Sequence, residues 1–483
     1  MTVQADAIRE YDNLIGGEWA ESRDRIVSIN PSNTADAVGS YAVATRSDVA
    51  RAVEAARAAQ GAWADATPQE RSDRLEAIAA EILSRREELA YQLSREEGKV
   101  LPESSAEVLK ASHVFRYFAG EAVRLSGEHV RSVRQSVDVD VVRRPIGVVG
   151  LVTPWNFPLS IPAWKAAPAL AYGNAVILKP SELTCGMAWS LAEILNRHLP
   201  KGVFQLLMGA GEVGAGLCES SGVDAVSFTG SVSTGAKIAA AVHARGGRLQ
   251  MEMGGKNPLL IMEDADLKLA VKYAIAGAFH STGQRCTASS RLIVAEAIHD
   301  RFVSELISAM RQLRVGDALD PRSQIGPMVN EAQLRRTLDY IEIGRKEGAE
   351  LAIGGERLER EHPGFYVSPS LFVGTSSAQR INQEEIFGPV ATILKVAGID
   401  DAIATANDIR FGLSAGIITN SLTHVLKFRK KIRSGMAMIN LPTVGTDYHV
   451  PFGGSAASGH GPKELGVAAR EFFTATRTIY TST

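Results

Sequence analysis

Between residues 49 and 125 apolar side chains recur every three or four positions, the period of helices with one buried face. Ser47-Asp48 ahead of Val49, Val53, Ala56 and Ala59 predicts a capped helix. Thr67-Pro68 opens a second, with a capping hydroxyl and a proline in its first turn. Leu75, Ile78, Ile82 and Leu89 carry that pattern towards Gly98, and a third helix is predicted over about 103–125, so the first part of the chain reads as helical. Residues 128–144 change period. Valines alternate with polar or charged residues and the run breaks near Gln135-Ser136, which predicts a hairpin with one buried side. It is either an ordinary solvated edge or a projection that contacts another subunit.

From Ile146 short apolar runs alternate with helical stretches. Strands are predicted at 147–152, 174–179, 203–207 and 225–230, with helices near 185–198 and 232–244. A second alternating region follows Gly254-Gly255, with strands near 258–262, 291–295 and 435–440. Its helices fall near 267–281, 299–313, 330–347 and 421–433. The tail REFFTATRTIYTST alternates as a final strand. Strand and helix in alternation imply an α/β fold with parallel, doubly wound sheets, whose ligands sit at the carboxyl ends of the strands.

The length of 483 residues exceeds what one core usually supports, so more than one domain is expected. With 45% hydrophobic and 22% charged residues the composition is that of a globular protein, and a net charge of −2 suggests neither a nucleic-acid nor an anionic-membrane partner. Three cysteines, Cys185, Cys218 and Cys286, form no disulfide framework and lack close Cys/His spacing, so no metal site is expected. The uncharged run from Pro145 to Trp164 is long enough for a membrane span, but Pro145, Pro154, Pro158 and Pro162 rule out a continuous helix. No secretory signal is visible, and a cytoplasmic location is expected.

Several positions carry candidate chemistry. Gly209-Ala210-Gly211-Glu212-Val213-Gly214 matches GxGxxG between a strand and a short helix. The acidic residue such a fingerprint needs about twenty positions on is missing. A plain tight turn is the alternative. Phe228-Thr229-Gly230-Ser231 opens a helix instead, where amides and hydroxyls suit a pyrophosphate. Cys286 lies in the polar segment Gly283-Gln284-Arg285-Cys286-Thr287, where the adjacent guanidinium would favour the thiolate; a lone cysteine is otherwise most often an inert buried residue. Glu252 precedes Gly254-Gly255 at a strand end, facing a cleft or simply the surface. Asn156, in Pro154-Trp155-Asn156-Phe157-Pro158, offers an uncharged amide to an oxyanion or merely completes a turn. Together these suggest a thiolate, a base and an oxyanion donor.

At this point the chain resembles the NAD(P)-dependent aldehyde dehydrogenases throughout its length. The strings that carry the resemblance are TPWNFPL at 153–159, LKPSE at 178–182, FTGS at 228–231, EMGGKNP at 252–258, GQRC at 283–286, EEIFGPV at 384–390 and PFGG at 451–454. The resemblance implies a Rossmann-like cofactor domain (1–127 and 147–253), an α/β catalytic domain (254–461) and a β-hairpin oligomerisation arm with the tail (128–146 and 462–483). It implies a homodimer or homotetramer acting on a small aldehyde. Cys286 matches the nucleophile that gives a thiohemiacetal and then a thioester, Asn156 and the Cys286 amide the oxyanion hole, and Glu252 the base that activates water. Thr153, Pro154, Trp155, Lys179, Ser181, Glu182, Gly211, Phe228, Gly230, Ser231, Glu385 and Phe387 match cofactor positions, and Glu464 a supporting acid. The chain departs from the family at Ala456, where lysine is frequent. It departs from succinic semialdehyde enzymes at Trp164, where they commonly carry arginine.

Glu182 would bond an unmodified ribose and repel a 2′-phosphate, so NAD is expected, with NADP possible because Lys179 lies near. GQRCTASSR with NLPTVGTDYHVPFGG (440–454) looks like the branch acting on 2-oxoglutarate semialdehyde (2,5-dioxopentanoate). Arg285 is then expected to pair with the distal carboxylate, or else to form a structural salt bridge. Phe157, Ile161, Trp164, His280, Tyr448 and Phe452 are expected to line the pocket, and an aromatic aldehyde is the alternative substrate. A CoA-acylating relative usually lacks the base, so Glu252 argues for hydrolysis; a non-catalytic relative typically loses chemical residues that are all present here.

Overall fold

The computed structural model describes residues 8–482. Its largest sheet has eight strands, and five parallel ones form its centre in the spatial order Arg248–Met253, Ala225–Gly230, Val148–Val152, Ala175–Lys179 and Phe204–Leu206. The order reverses between Val148–Val152 and Ala225–Gly230, and a crevice opens at such a switch point beyond the strand ends. Residues 153–156 and 230–231 emerge there.

These strands are buried on both faces, which is why they read as unbroken apolar runs. Val149 and Leu151 face helices Pro68–Ser84, Leu101–Arg124, Ser160–Ala171 and Cys185–His198. Val148 and Val152 face Arg46–Asp65, Gly211–Glu219 and Val232–Ala244 on the other side. A second, seven-stranded sheet follows in the order Glu350–Ile353, Ser370–Val373, Val390–Val396, Ser289–Ala295, Asn257–Ile261, Ser414–Ile418 and Met436–Ile439, all parallel except the first. The hairpin Glu128–Arg131 and Val137–Pro145 projects with Thr474–Ser482 paired antiparallel along it.

The structure corrects several expectations. The first part is not all helical: Glu10–Tyr11, Asn33–Ala42 and Arg25–Asn30 form a small sheet, while Asn13–Ile15 and Glu18–Ala20 extend the large one. Asn13–Ile15 pairs far along the chain, Leu14 opposite Leu206, which local periodicity does not reveal, while Arg25–Asn30 and Asn33–Ala42 pair locally with register shifts that blur their alternation. The first helix is capped by Thr45 rather than Ser47: Thr45 Oγ1 accepts from Asp48 N at 3.2 Å, and Asp48 Oδ2 accepts from Thr45 N at 2.9 Å. Leu89 belongs to a separate helix, Arg86–Glu97, which ends at left-handed Gly98. Nor does the catalytic region run unbroken to 461. Gly459–His460 pairs with Met251 and Glu252, and Leu465, Phe472 and Phe473 pack in the first core. Of the tail, the arm sheet takes Thr474–Ser482.

The uncharged run 145–164 is divided between a strand and the start of helix Ser160–Ala171, and among the described residues no helix is long and apolar enough to cross a membrane. Trp63 ties the first helix to Ser160–Ala171: its ring is buried and Nε1 donates to Leu170 O at 3.1 Å. Trp63→Ala is expected to cost about 3–5 kcal/mol, read as a lower thermal midpoint.

Candidate active site

Two cavities meet at Cys286. The first, of about 290 Å³, is walled by Phe157, Ile161, Trp164, Phe452 and the 444–446 segment, with Lys99, Glu103, Glu107, Lys110, Arg285 and Thr287 supplying polar groups. The second, of about 150 Å³, is lined by Pro154, Trp155, Asn156, Thr229, Gly230, Ser231, Gly254, Gln333, Arg336, Glu385 and Phe387. Ile161 and Cys286 belong to both. A larger hollow of about 570 Å³, between the segments around Arg314 and Arg360, shares no residue with either.

The loop before Cys286 is held in an unusual conformation. Ser281, Thr282 and Gly283 all adopt left-handed backbone, costly for the first two. Contacts on every side hold it in place. Thr282 Oγ1 donates to Gly326 O at 3.0 Å, and Gln284 Oε1 accepts from Val329 N at 3.0 Å. Asn257 Nδ2 donates to Cys286 O at 2.8 Å and Ala288 O at 3.0 Å. Asn156 Nδ2 donates to Gln284 O at 2.9 Å. An amide nitrogen carries two hydrogens, so this bond orients the group and leaves the second donor available.

Asn156 is itself fixed from behind. Its carbonyl accepts from Lys99 Nζ at 2.7 Å, and the same ammonium donates to Glu107 Oε2 at 2.6 Å. Glu107 Oε1 in turn accepts from the amides of Leu159 and Ser160, at 3.0 and 3.1 Å, where helix Ser160–Ala171 begins. All three side chains are buried.

Arg285 does not face the sulfur as its adjacency in sequence suggests. Its guanidinium turns back to Ser281 Oγ and to Glu103 Oε1 at 2.6 Å. Burial, with Glu385 and Glu252 nearby, pushes the Cys286 thiol up to about 12, and the cation that opposes this is Lys110. Cys286 is therefore held in the thiol form. Glu252 ends strand Arg248–Met253 and its Oε2 accepts from Gly454 N at 2.8 Å. Burial first, then the charge of Glu464, hold this carboxyl well above the usual carboxylate range. Glu464 bonds Lys165, and Lys165 Nζ reaches Ser227 Oγ at 2.8 Å.

The second cavity suits a flat ring joined to a polyol and phosphates. Trp155 and Phe387 meet edge to face with centroids 5.4 Å apart. Glu385 Oε1 accepts from Gly255 N at 2.9 Å, and a Cβ on Gly254 would collide with that carboxylate. The buried hydroxyls of Thr153 and Thr229 have no partner. Ser231 caps helix Val232–Ala244 by accepting from Thr234 N at 3.2 Å. Lys179, Ser181 and Glu182 follow the neighbouring strand, with Lys179 Nζ 3.8 Å from Glu182 Oε2, and Gly211 starts helix Gly211–Glu219. These four lie outside the cavity lining. Phe228 is a correction: its ring is buried in the core under helix Val232–Ala244 and lines neither cavity.

Phe157, Ile161, Trp164, Arg285 and Phe452 line the first cavity as expected, but His280 and Tyr448 do not. His280 opens the turn before Cys286, and the Tyr448 ring packs at a tilt against His113 and Tyr117. The residues missed by sequence reasoning come mainly from helix Leu101–Arg124: Glu103, Glu107 and Lys110. Their spacing of four and three on a helix otherwise buried was the available signal. Ala456, where a lysine was expected, takes a left-handed backbone opposite Phe411.

The model of the aldehyde dehydrogenase family matches residues 19–479. The chain is 44% identical to an alpha-ketoglutaric semialdehyde dehydrogenase of Bacillus subtilis (strain 168), covering 97% of this chain and 98% of that one. It is 39% identical to an alpha-ketoglutarate semialdehyde dehydrogenase of Haloferax volcanii, over 97% and 98%. The structure matches that of a betaine aldehyde dehydrogenase from Staphylococcus aureus in complex with NAD+ at a TM-score of 0.95, with 34% identity and coverage of 98% and 95%.

A raised thiol predicts the labelling behaviour of the cysteines. Alkylation of Cys286 by iodoacetamide, followed by mass spectrometry, is expected to accelerate steadily from pH 7 to pH 10 without the plateau of an ordinary thiol near its usual pKa of about 8.5. Cys185 and Cys218, buried and also pushed up, are expected to stay unlabelled in the folded protein.

Proposed function

The chain belongs to the aldehyde dehydrogenase family, and from that premise we infer that it oxidises 2-oxoglutarate semialdehyde to 2-oxoglutarate with NAD. The observation that carries the reading is the junction at Cys286: one cavity with a polar, cationic wall and one suited to a dinucleotide open on the same sulfur. The names of the two semialdehyde enzymes support the choice of substrate, and the NAD+ held by the Staphylococcus aureus enzyme supports the cofactor.

In this reading the aldehyde enters by the first cavity and Cys286 Sγ attacks its carbonyl carbon while the thiol proton passes to a base. Glu252, with its raised pKa, is suited to take it near neutral pH. The oxygen that becomes anionic is met by the free hydrogen of Asn156 Nδ2 and by the Cys286 amide. Thr153, Pro154, Trp155, Gly230, Ser231, Glu385 and Phe387 hold NAD, with Lys179, Ser181, Glu182 and Gly211 towards its adenosine end; when bound it accepts a hydride. Loss of that hydride leaves a thioester on Cys286. Once Glu252 has released the first proton to solvent it takes one from water, the hydroxide attacks the thioester carbonyl, and the acid leaves as the sulfur regains a proton from Glu252. Burial and the charge of nearby Glu464 raise Glu252, while Lys165, paired with Glu464, opposes that rise.

Kinetics with an aldehyde panel test the reading. kcat/KM for 2-oxoglutarate semialdehyde is expected to exceed that for benzaldehyde and betaine aldehyde, and the reverse order retires the substrate. Because Glu252 serves both proton transfers, Glu252→Gln is expected to lower kcat by about 10²–10⁴-fold and to slow the first-turnover formation of NADH as well. Cys286→Ala is expected to form none, and residual turnover removes the nucleophile.

The arm sheet supports a homodimer or homotetramer. Val130 and Tyr480 flank Val139 on one face of the sheet and are exposed there. A chain ending at Thr474 is expected to sediment as a monomer; an unchanged assembly refutes the arm as the contact.

A further inference from the structure

Three cations line the first cavity, and two of them are already neutralised. Lys99 is paired with Glu107 at 2.6 Å, and Arg285 with Glu103 at 2.6 Å. Lys110 differs. Among the described residues no carboxylate lies within ion-pair distance of its ammonium, whose hydrogen-bond partner is the hydroxyl of Thr446. The Lys110 ammonium stands 5.4 Å from the centre of the Trp164 ring, on the apolar wall shared with Phe452. A buried ammonium without a counter-ion is costly, and an incoming anion recovers that cost while a neutral molecule does not.

We propose that Lys110 is the group that selects aldehydes bearing a carboxylate at their far end, pairing with that carboxylate while the aldehyde carbon faces Cys286. The role expected of Arg285 thus passes to a residue on a different element, since the Arg285 guanidinium is occupied by Glu103 and Ser281. Burial depresses the ammonium to about 8, against the opposing pull of Glu107 on its own helix, Cys286 on the nucleophile loop and Asp447 on the 440–454 segment. A bound carboxylate restores the charged form. Thr446 orients the ammonium and, beside Gly445, leaves room on that side of the cavity.

This inference rests on the acidic-aldehyde reading, and the experiment separates the two. Wild type, Lys110→Met, Lys110→Arg and Arg285→Met are compared on 2-oxoglutarate semialdehyde and on pentanal, a neutral aldehyde of the same chain length. Lys110→Met is expected to lower the acid-to-neutral ratio of kcat/KM by about 10–100-fold, mainly through the KM of the acid, as fits loss of one charged hydrogen bond. Lys110→Arg is expected to recover part of that ratio, and Arg285→Met to change it less. Equal losses on both substrates overturn the proposal and make Lys110 a support of the thiol or of the fold. An unchanged ratio overturns it as well. Should wild type itself show no preference for the acid, the substrate reading fails, and competition by glutarate against pentanal then decides Lys110 alone. Inhibition that Lys110→Met abolishes keeps the carboxylate site, and absence of inhibition removes it.

Discussion

The buried ion pair between Lys99 and Glu107 is the contact on which the geometry around Cys286 depends. Both charges are fully removed from water, which by itself is unfavourable. Their remaining hydrogen-bonding capacity is put to structural use: the ammonium grips the carbonyl of Asn156, and the carboxylate receives the free amides at the start of helix Ser160–Ala171. The pair thus locks the turn after strand Val148–Val152 to two helices. Through Asn156 it reaches the nucleophile loop of the other sheet. The Phe157 ring lies over the same ammonium at 3.9 Å, so one wall of the substrate cavity shares the anchor.

A rigid frame of this kind lets the chemistry run with groups whose protonation is shifted far from the ordinary. Cys286, Glu252 and Glu385 are all raised by burial, with the charges of Glu385 and Glu252 adding at Cys286 and that of Glu464 at Glu252, so a protonated thiol and a weakly acidic carboxyl sit together. Each is poorly reactive alone in that state. In the proposed mechanism a proton moved from sulfur to carboxylate makes Cys286 nucleophilic, and the exclusion of solvent that raises both groups would also shield the proposed thioester.

Much of this was legible in the chain. The strand Ala225–Gly230 and the helices Cys185–His198 and Val232–Ala244 fall where their periods placed them, because each is buried against its sequence neighbours. Asn13–Ile15 and Ser414–Ile418 were not legible because each has a partner more than a hundred residues away, and the local hairpin of Arg25–Asn30 with Asn33–Ala42 was hidden by register shifts that break its alternation. The candidate site divides in the same way. Cys286 and Asn156 lie on turns, and Glu252 in a strand just ahead of Gly254-Gly255, where glycine or proline marks the place. Arg285 misled because adjacency along a left-handed turn points its side chain back to Ser281 and Glu103. Lys110, midway along an amphipathic helix, looks like any solvated lysine until the fold shows which face of that helix meets the cavity.

The pairing of Thr474–Ser482 with Val137–Pro145 also dictates an order of events during synthesis. Residues 137–145 leave the ribosome more than three hundred residues before their partner, so the hairpin must wait as an open edge while both large sheets take shape. Closing the loop between them is a late and entropically expensive step. The three-stranded sheet is therefore one of the last pieces of the fold to close, and Val137–Pro145 keeps an unpaired edge until Thr474–Ser482 has been made.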